Sequence, residues 1–423
     1  MLPPETRRTC EHLAARGGQV EGGQVRCGAV CYLCAACQVH AHLHLWEAAY
    51  SSHALKQVSC HSTTTTAATM NGSIPLLLCL LLSTSRGEEE KDTLQTSRTS
   101  LTLKSQEMSC PEAADILPCV CKHEEALSLE CSGVEDEAQL RQVFRAYFPT
   151  TAFYEFYMDG NKGVRVLEDG VFGSVSFQVL QVLNSALETV RDDALTPSLR
   201  TLTHINVADS PLAVFPFHRL QEFTLLGSMS LMNCDVHSLP PLSSASLKLL
   251  YLNANSISHL TPDVFSLLTA VQNIDLTENH LTDIEAGTFT SIPRLSSLSL
   301  STNMLSSLPR LTFALAATQD APGWLRLDHN NIDSVEVDAF KGVQAPSYIE
   351  LSHNALTTLQ EAVWRPVMAR GVTVMLQGNA LSCGCVIAWL VRDPTLLTKA
   401  QGARCADGRW LTDLDPADFD ICG

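Results

Sequence analysis

Ten segments of this 423-residue chain share one pattern, and the interval between them hardly changes. The position held by asparagine in most copies falls at residues 161, 185, 210, 234, 255, 279, 303, 330, 354 and 379. The spacings are 24, 25, 24, 21, 24, 24, 27, 24 and 25 residues. Self-similarity at such a period marks a stacked array, because one short unit cannot bury its apolar face alone.

The full template reads LxxLxLxxNxLxxL, with phenylalanine about ten residues after the asparagine. One copy supplies Leu247, Leu250, Leu252, Asn255, Ile257, Leu260 and Phe265, and the next Val271, Ile274, Leu276, Asn279, Leu281, Ile284 and Phe289. Leu295 to Phe313, Leu325 to Phe340 and Ile349 to Trp364 keep the frame, and Val374 to Leu381 closes the series. Earlier copies, beginning at Phe153, are looser and carry Ser185, Ser210 and Cys234 at the asparagine position. In the LxL stretch both leucines point inward at period two, as on a short strand. The asparagine is expected to satisfy backbone groups in the turn that follows, and the phenylalanine to fill the interior beneath the convex side. The expected fold is therefore an α/β right-handed leucine-rich-repeat solenoid, a horseshoe with a parallel concave sheet.

A solenoid leaves raw apolar ends that need covers. Cys110, Cys119, Cys121 and Cys131 precede the first repeat, and Cys383, Cys385, Cys405 and Cys422 follow the last, with Trp389 as an expected plug. Each group of four permits three connectivities. Both groups resemble the cysteine caps of extracellular leucine-rich-repeat proteins. That resemblance implies disulfide-bonded caps with first-to-third and second-to-fourth pairing: Cys110–Cys121, Cys119–Cys131, Cys383–Cys405 and Cys385–Cys422. Cys234 is left over and reads as a buried, inert thiol in the asparagine slot.

The amino-terminal quarter lacks the repeat. Ile74–Leu82 is apolar (IPLLLCLLL), too short to span a bilayer but of the length of a secretory signal core, with small residues at Ser83, Ser85 and Gly87 behind it. Met70 stands just before this run, so translation is expected to start there. The expected division is 1–69, an upstream gene-model segment or disordered leader; 70–87, signal peptide; 88–109, linker; 110–150, amino-terminal cap; 151–382, about ten repeats; and 383–423, carboxy-terminal cap. Within the leader, Cys27, Cys31, Cys34 and Cys37 with His40, His42 and His44 have ligand types that suit zinc, but paired CxxC knuckles are missing, and no metal is expected. Asn71-Gly72-Ser73 falls inside the signal, so no N-glycan is expected on a secreted product. The net charge of −17 argues against nucleic acid as a partner, and no further run is apolar enough for a membrane span.

No nucleophile elbow, phosphate loop or zinc-protease motif occurs, and no catalytic residue or cofactor is expected. Candidates for binding come from the outward strand positions. Most copies show small polar residues there, such as Ser296, Ser297, Ser299 and Ser301. Two neighbouring copies differ. Trp324 and Tyr348 hold matched positions, as do Arg326 and Glu350, which are expected to form a cross-strand ion pair, and His329 and His353. Tryptophan, tyrosine and arginine dominate interface energetics, so this cluster is the candidate contact surface. A purely structural aromatic ladder is the competing reading. The two histidines lack an evident third ligand for a metal.

Cys110–Cys121 (CPEAADILPCVC) and Val166–Gly173 (VLEDGVFG) resemble the crustacean family named after the non-catalytic subunit of Oplophorus-luciferin 2-monooxygenase. The resemblance spans about residues 108–423. It implies a secreted, non-enzymatic accessory subunit whose partner is another protein, with a small catalytic chain as candidate, and it supplies no catalytic residues to carry over. The alternative is a soluble pattern-recognition protein similar to Toll-type ectodomains.

Overall fold

The computed structural model describes residues 109–123 and 125–422. The expected leader, signal peptide and linker up to residue 108 lie outside the described residues, as does the cysteine–histidine cluster of the leader.

Period-two burial produces one long sheet. Thirteen strands line up in chain order: β1 (Val120–His123), β2 (Leu127–Glu130), β3 (Ala152–Asp159), β4 (Ser176–Leu183), β5 (His204–Ala208), β6 (Ser228–Met232), β7 (Leu249–Tyr251), β8 (Asn273–Asp275), β9 (Ser297–Ser299), β10 (Gly323–Arg326), β11 (Ser347–Glu350), β12 (Thr373–Met375) and β13 (Ala400–Gln401). β1 and β2 form an antiparallel hairpin, and every later pair is parallel. The register aligns Phe156, Leu180, Ile205, Met229, Leu250, Ile274, Leu298, Leu325, Ile349 and Val374 in one fully buried row. A second buried row lies two residues on, from Met158 to Leu376.

The phenylalanines form a spine behind the sheet. Ring centroids of Phe265, Phe289, Phe313, Phe340 and Trp364 follow one another at 5.5, 6.0, 5.6 and 5.6 Å. The returning segments are mostly extended. Two-residue strands pair across repeats at Val166–Leu167 with Thr189–Val190, Ser243–Ser244 with Leu267–Leu268, Ser307–Leu308 with Ser334–Val335, and Ala314–Leu315 with Gly342–Val343. A helix is about 10 Å across whereas strands stack at about 4.8 Å, so extended returns keep the two sides of the array in step. The two longest helices of the described residues lie towards the ends: α1 (Glu137–Val143), capped by Asp136 accepting from the Gln139 N–H, and α2 (Glu361–Ala369), which carries Trp364.

The asparagines tie each repeat to the one before it. Asn303 Nδ2 donates to the carbonyls of Leu276 and Leu300 at 2.9 and 3.1 Å, while its Oδ1 accepts from the Leu281 N–H at 3.1 Å. Asn255, Asn279, Asn330, Asn354 and Asn379 repeat this scheme. Ser185 and Ser210 keep a shorter version, donating to the carbonyls of Leu183 and Ala208. Cys234 occupies the same slot, half-buried rather than fully buried as expected, with Sγ 3.5 and 3.6 Å from the carbonyls of Met232 and Val207. Burial pushes its thiol up to about 12, and it is the free cysteine among the described residues.

The residue before each of these positions adopts positive φ in all ten copies: Gly160, Asn184, Asp209, Asn233, Ala254, Glu278, Thr302, His329, His353 and Gly378. Four disulfide bonds close the ends: Cys110–Cys121, Cys119–Cys131, Cys383–Cys405 and Cys385–Cys422. Trp389 plugs the carboxy-terminal end, its Nε1 donating to the Leu359 carbonyl at 2.9 Å.

Candidate functional site

Pleating sends residues on either side of the buried row onto the concave face. The register therefore sets Ser297, Trp324, Tyr348 and Thr373 in one file and Ser299, Arg326, Glu350 and Met375 in the next. Gly323 opens β10 beside Ser347, where a β-carbon would collide with the serine Oγ. Parallel register one strand apart lets the two aromatic residues meet face to face. The rings of Trp324 and Tyr348 stack with centroids 4.5 Å apart and planes 19° apart.

Arg326 and Glu350 are register partners, but no ion pair joins them among the described residues. The guanidinium lies over the Trp324 ring, its Cζ 5.4 Å from the centroid. Glu350 instead accepts the Ser352 N–H on Oε1 at 3.0 Å. The expected cross-strand pair is thus replaced by two local contacts. A half-buried guanidinium gains contact with the indole, and the carboxylate caps its own turn.

His329 and His353 also stack, with centroids 4.6 Å apart. Each has φ of 56°, and this left-handed turn carries both rings to the lip of the sheet. Asp328, which the sequence pattern did not single out, holds the first of them: its Oδ2 lies 2.9 Å from His329 Nδ1. Its Oδ1 accepts from Ser301 Oγ at 2.6 Å. The hydroxyls continue backwards, Ser301 to Ser299 at 3.4 Å and Ser299 to Thr277 at 2.7 Å. Ser299 and Ser301 are only 6% and 7% exposed, so these outward positions are packed and engaged rather than open.

Elsewhere on this face Tyr157 donates to Asp159 Oδ2 at 3.3 Å. Its phenol is held above the usual tyrosine range by burial and by the nearby charge of Asp159, Glu130 and Glu155. Burial likewise raises Tyr251 and Glu155. Away from the sheet, a groove of about 1000 Å³ runs between α2 and the carboxy-terminal cap. Its cations hold the cap together: Arg365 contacts Glu361 at 2.7 Å and Asp393 at 3.6 Å, and Arg392 reaches the carbonyls of Phe419 and Cys422.

Among the described residues no three His, Cys, Asp or Glu side chains converge as metal ligands, and no helix is long and apolar enough to cross a membrane. What the concave cluster offers is a rigid aromatic stack, a guanidinium and two imidazoles on adjacent repeats, which is the chemistry of contact.

Comparison with known proteins agrees with the repeat. The family model described as leucine rich repeat matches residues 245–305, 269–316 and 324–367. The chain is 33% identical over 319 residues to the Oplophorus-luciferin 2-monooxygenase non-catalytic subunit of Oplophorus gracilirostris, covering 74% of this chain and 88% of that protein. It is 30% identical over 176 residues to human mimecan, covering 41% of this chain and 53% of that one. Among solved structures, an octameric complex of Latrophilin 3, Unc5D and FLRT2 contains a chain that superposes with a TM-score of 0.49 at 19% identity, over 64% of this chain and 83% of that one.

Proposed function

This chain belongs to the leucine-rich-repeat family of the Oplophorus-luciferin 2-monooxygenase non-catalytic subunit, and from that premise we propose that it is a secreted, non-enzymatic subunit that binds another protein through its concave sheet. The relative's name places catalysis outside this type of chain, and a small catalytic chain is the first candidate partner. Four disulfide bonds support an oxidising compartment.

The observation that carries the concave reading is the Trp324–Tyr348 stack on adjacent strands. Its neighbours Ser299, Ser301 and Asp328 are occupied with one another, so the aromatic pair and Arg326 are what this stretch presents to a partner. Large rigid side chains lose little entropy on contact and can each carry at least ~2 kcal/mol of binding.

The test is a titration of the partner, isolated from the native secretion, against wild type and Trp324→Ala. The substitution should weaken binding by ~30-fold or more, on the rule that 1.4 kcal/mol is tenfold. The melting temperature should barely move, because both buried rows are untouched. Ser299 is engaged by Thr277 and so makes a poor control; Gln181→Ala, far along the same face, is the matched one. Intact affinity with a lowered melting temperature would make the stack a structural ladder and move the binding surface elsewhere.

A further inference from the structure

We infer that the concave site receives one side-chain carboxylate of its protein partner on Arg326, with an aromatic or aliphatic side chain of the same segment against Trp324 and Tyr348. The inference rests on the concave-face reading above and names the chemistry of what docks there.

It starts from an imbalance among the polar groups of two strands. Asp328 has both oxygens engaged, by Ser301 and by His329. Glu350 takes the Ser352 N–H, and Asp275 takes the Thr277 N–H at 2.9 Å. Each carboxylate of this stretch thus takes at least one donor from the protein itself. Arg326 is not supplied with acceptors. Among the described residues its guanidinium takes part in no hydrogen bond and no ion pair, and it lies over the ring of Trp324. The two arginines of the cap groove differ, since Arg365 and Arg392 are bonded to carboxylates and carbonyls.

The geometry of a guanidinium then selects the ligand. Its planar fork of N–H donors matches the two oxygens of a carboxylate. The guanidinium lies over the Trp324 ring, which is itself backed by Tyr348, so the fork and the aromatic surface are set side by side before a partner arrives. Half-burial removes part of the water that would otherwise compete. The surroundings also set a limit. Asp275, Asp328 and Glu350 flank the site, and the chain carries a net charge of −17. A tract of acidic residues would be repelled by this field, whereas a single carboxylate beside an apolar side chain gains the fork and the aromatic surface together.

A display library of random short peptides tests this. The peptides are fused through their carboxy termini, so that only side chains offer carboxylates. They are selected on the full chain and counter-selected on Arg326→Ala. Peptides that depend on Arg326 should carry Asp or Glu next to an aromatic or aliphatic residue. Replacing that residue by its amide should weaken binding to wild type by about tenfold or more, the usual range for a charge-assisted hydrogen bond. The same replacement should have no further effect on Arg326→Ala, and Arg326→Lys should recover only part of the loss. Trp324→Ala should weaken both the acid and the amide peptide. If the amide peptides bind wild type as tightly as the acids while Trp324→Ala abolishes binding, the concave reading stands and the carboxylate inference is wrong. If nothing survives the counter-selection, and the peptides enriched before it bind Arg326→Ala and Trp324→Ala as tightly as wild type, both fall.

Discussion

The imidazole of His353 fills the space that a side chain on Gly378 would need: a β-carbon there would stand 2.5 Å from Nδ1. Gly378 is the next residue along the file of left-handed turns that holds His329 and His353, with φ of 75°. The glycine therefore serves both the turn and the seating of the histidine stack. Gly378→Ala should cost at least about 1–2 kcal/mol, the usual penalty for a left-handed alanine, and displace His353. Thermal unfolding measures the loss. Adding His353→Ala should recover the part due to collision, leaving the part due to φ. An unchanged melting temperature for Gly378→Ala would contradict this account.

The asparagine ladder predicts unequal tolerance at equivalent positions. Asn303→Ala leaves the buried Leu281 N–H without its partner and removes one of two side-chain donors from each of the Leu276 and Leu300 carbonyls, which keep Asn279 and Asn330; it should destabilise by about 2 kcal/mol or more. Cys234→Ser should stay within about 1 kcal/mol of wild type, because serine already fills this slot at 185 and 210. Chemical denaturation of the two variants in parallel decides the point.

The thiol of Cys234 is the natural probe of the same ladder. With its ionisation pushed up to about 12 by burial, almost no thiolate exists at pH 8. Iodoacetamide should leave it unlabelled in the folded protein and label it after denaturation. Labelling of the native protein at the rate of a free peptide thiol would show that the slot is open.

The caps should fail before the middle. Stability in such arrays is approximately a sum of local and nearest-neighbour terms, and each disulfide adds about 2–4 kcal/mol to its own end. Under mild reduction, hydrogen exchange should accelerate first around Cys110–Cys131 and Cys383–Cys422, while β7 to β11 stay protected. Non-reducing peptide maps should show the four bonds within their clusters. Loss of protection in the central strands first would break the additive picture.

Processing is the remaining test of secretion. The signal reading of Ile74–Leu82 places the mature amino terminus at residues 84–92, and amino-terminal sequencing of the native product checks it. Peptides spanning Cys27–Cys37 in the secreted material would refute it.

Much of this architecture is legible in one dimension. The number of copies, the two inward rows and the asparagine slots follow from residue spacing, because strand pleating has period two and a repeat stacks on its own likeness. The caps are legible as two groups of four cysteines, although spacing alone leaves three pairings for each. The matched positions of Trp324 with Tyr348 and of His329 with His353 also follow from the common frame. The left-handed residue before each slot is harder to see. Glycine, asparagine or aspartate betrays it at 160, 184, 209, 233 and 378, but Ala254, Glu278 and Thr302 take the same turn because the stacked ladder overrides their local preference.

What only the tertiary structure decides is which outward side chains are free. Ser299 and Ser301 look open in sequence yet are closed by Thr277 and Asp328 from the repeats on either side. Arg326 and Glu350 look paired yet turn to Trp324 and to the Ser352 N–H. The reason is physical. Inward positions are set by the alternation of a single strand, which each segment carries within itself. An outward side chain has several partners in reach, on its own strand and on both neighbours, and its choice depends on what those neighbours have already bonded.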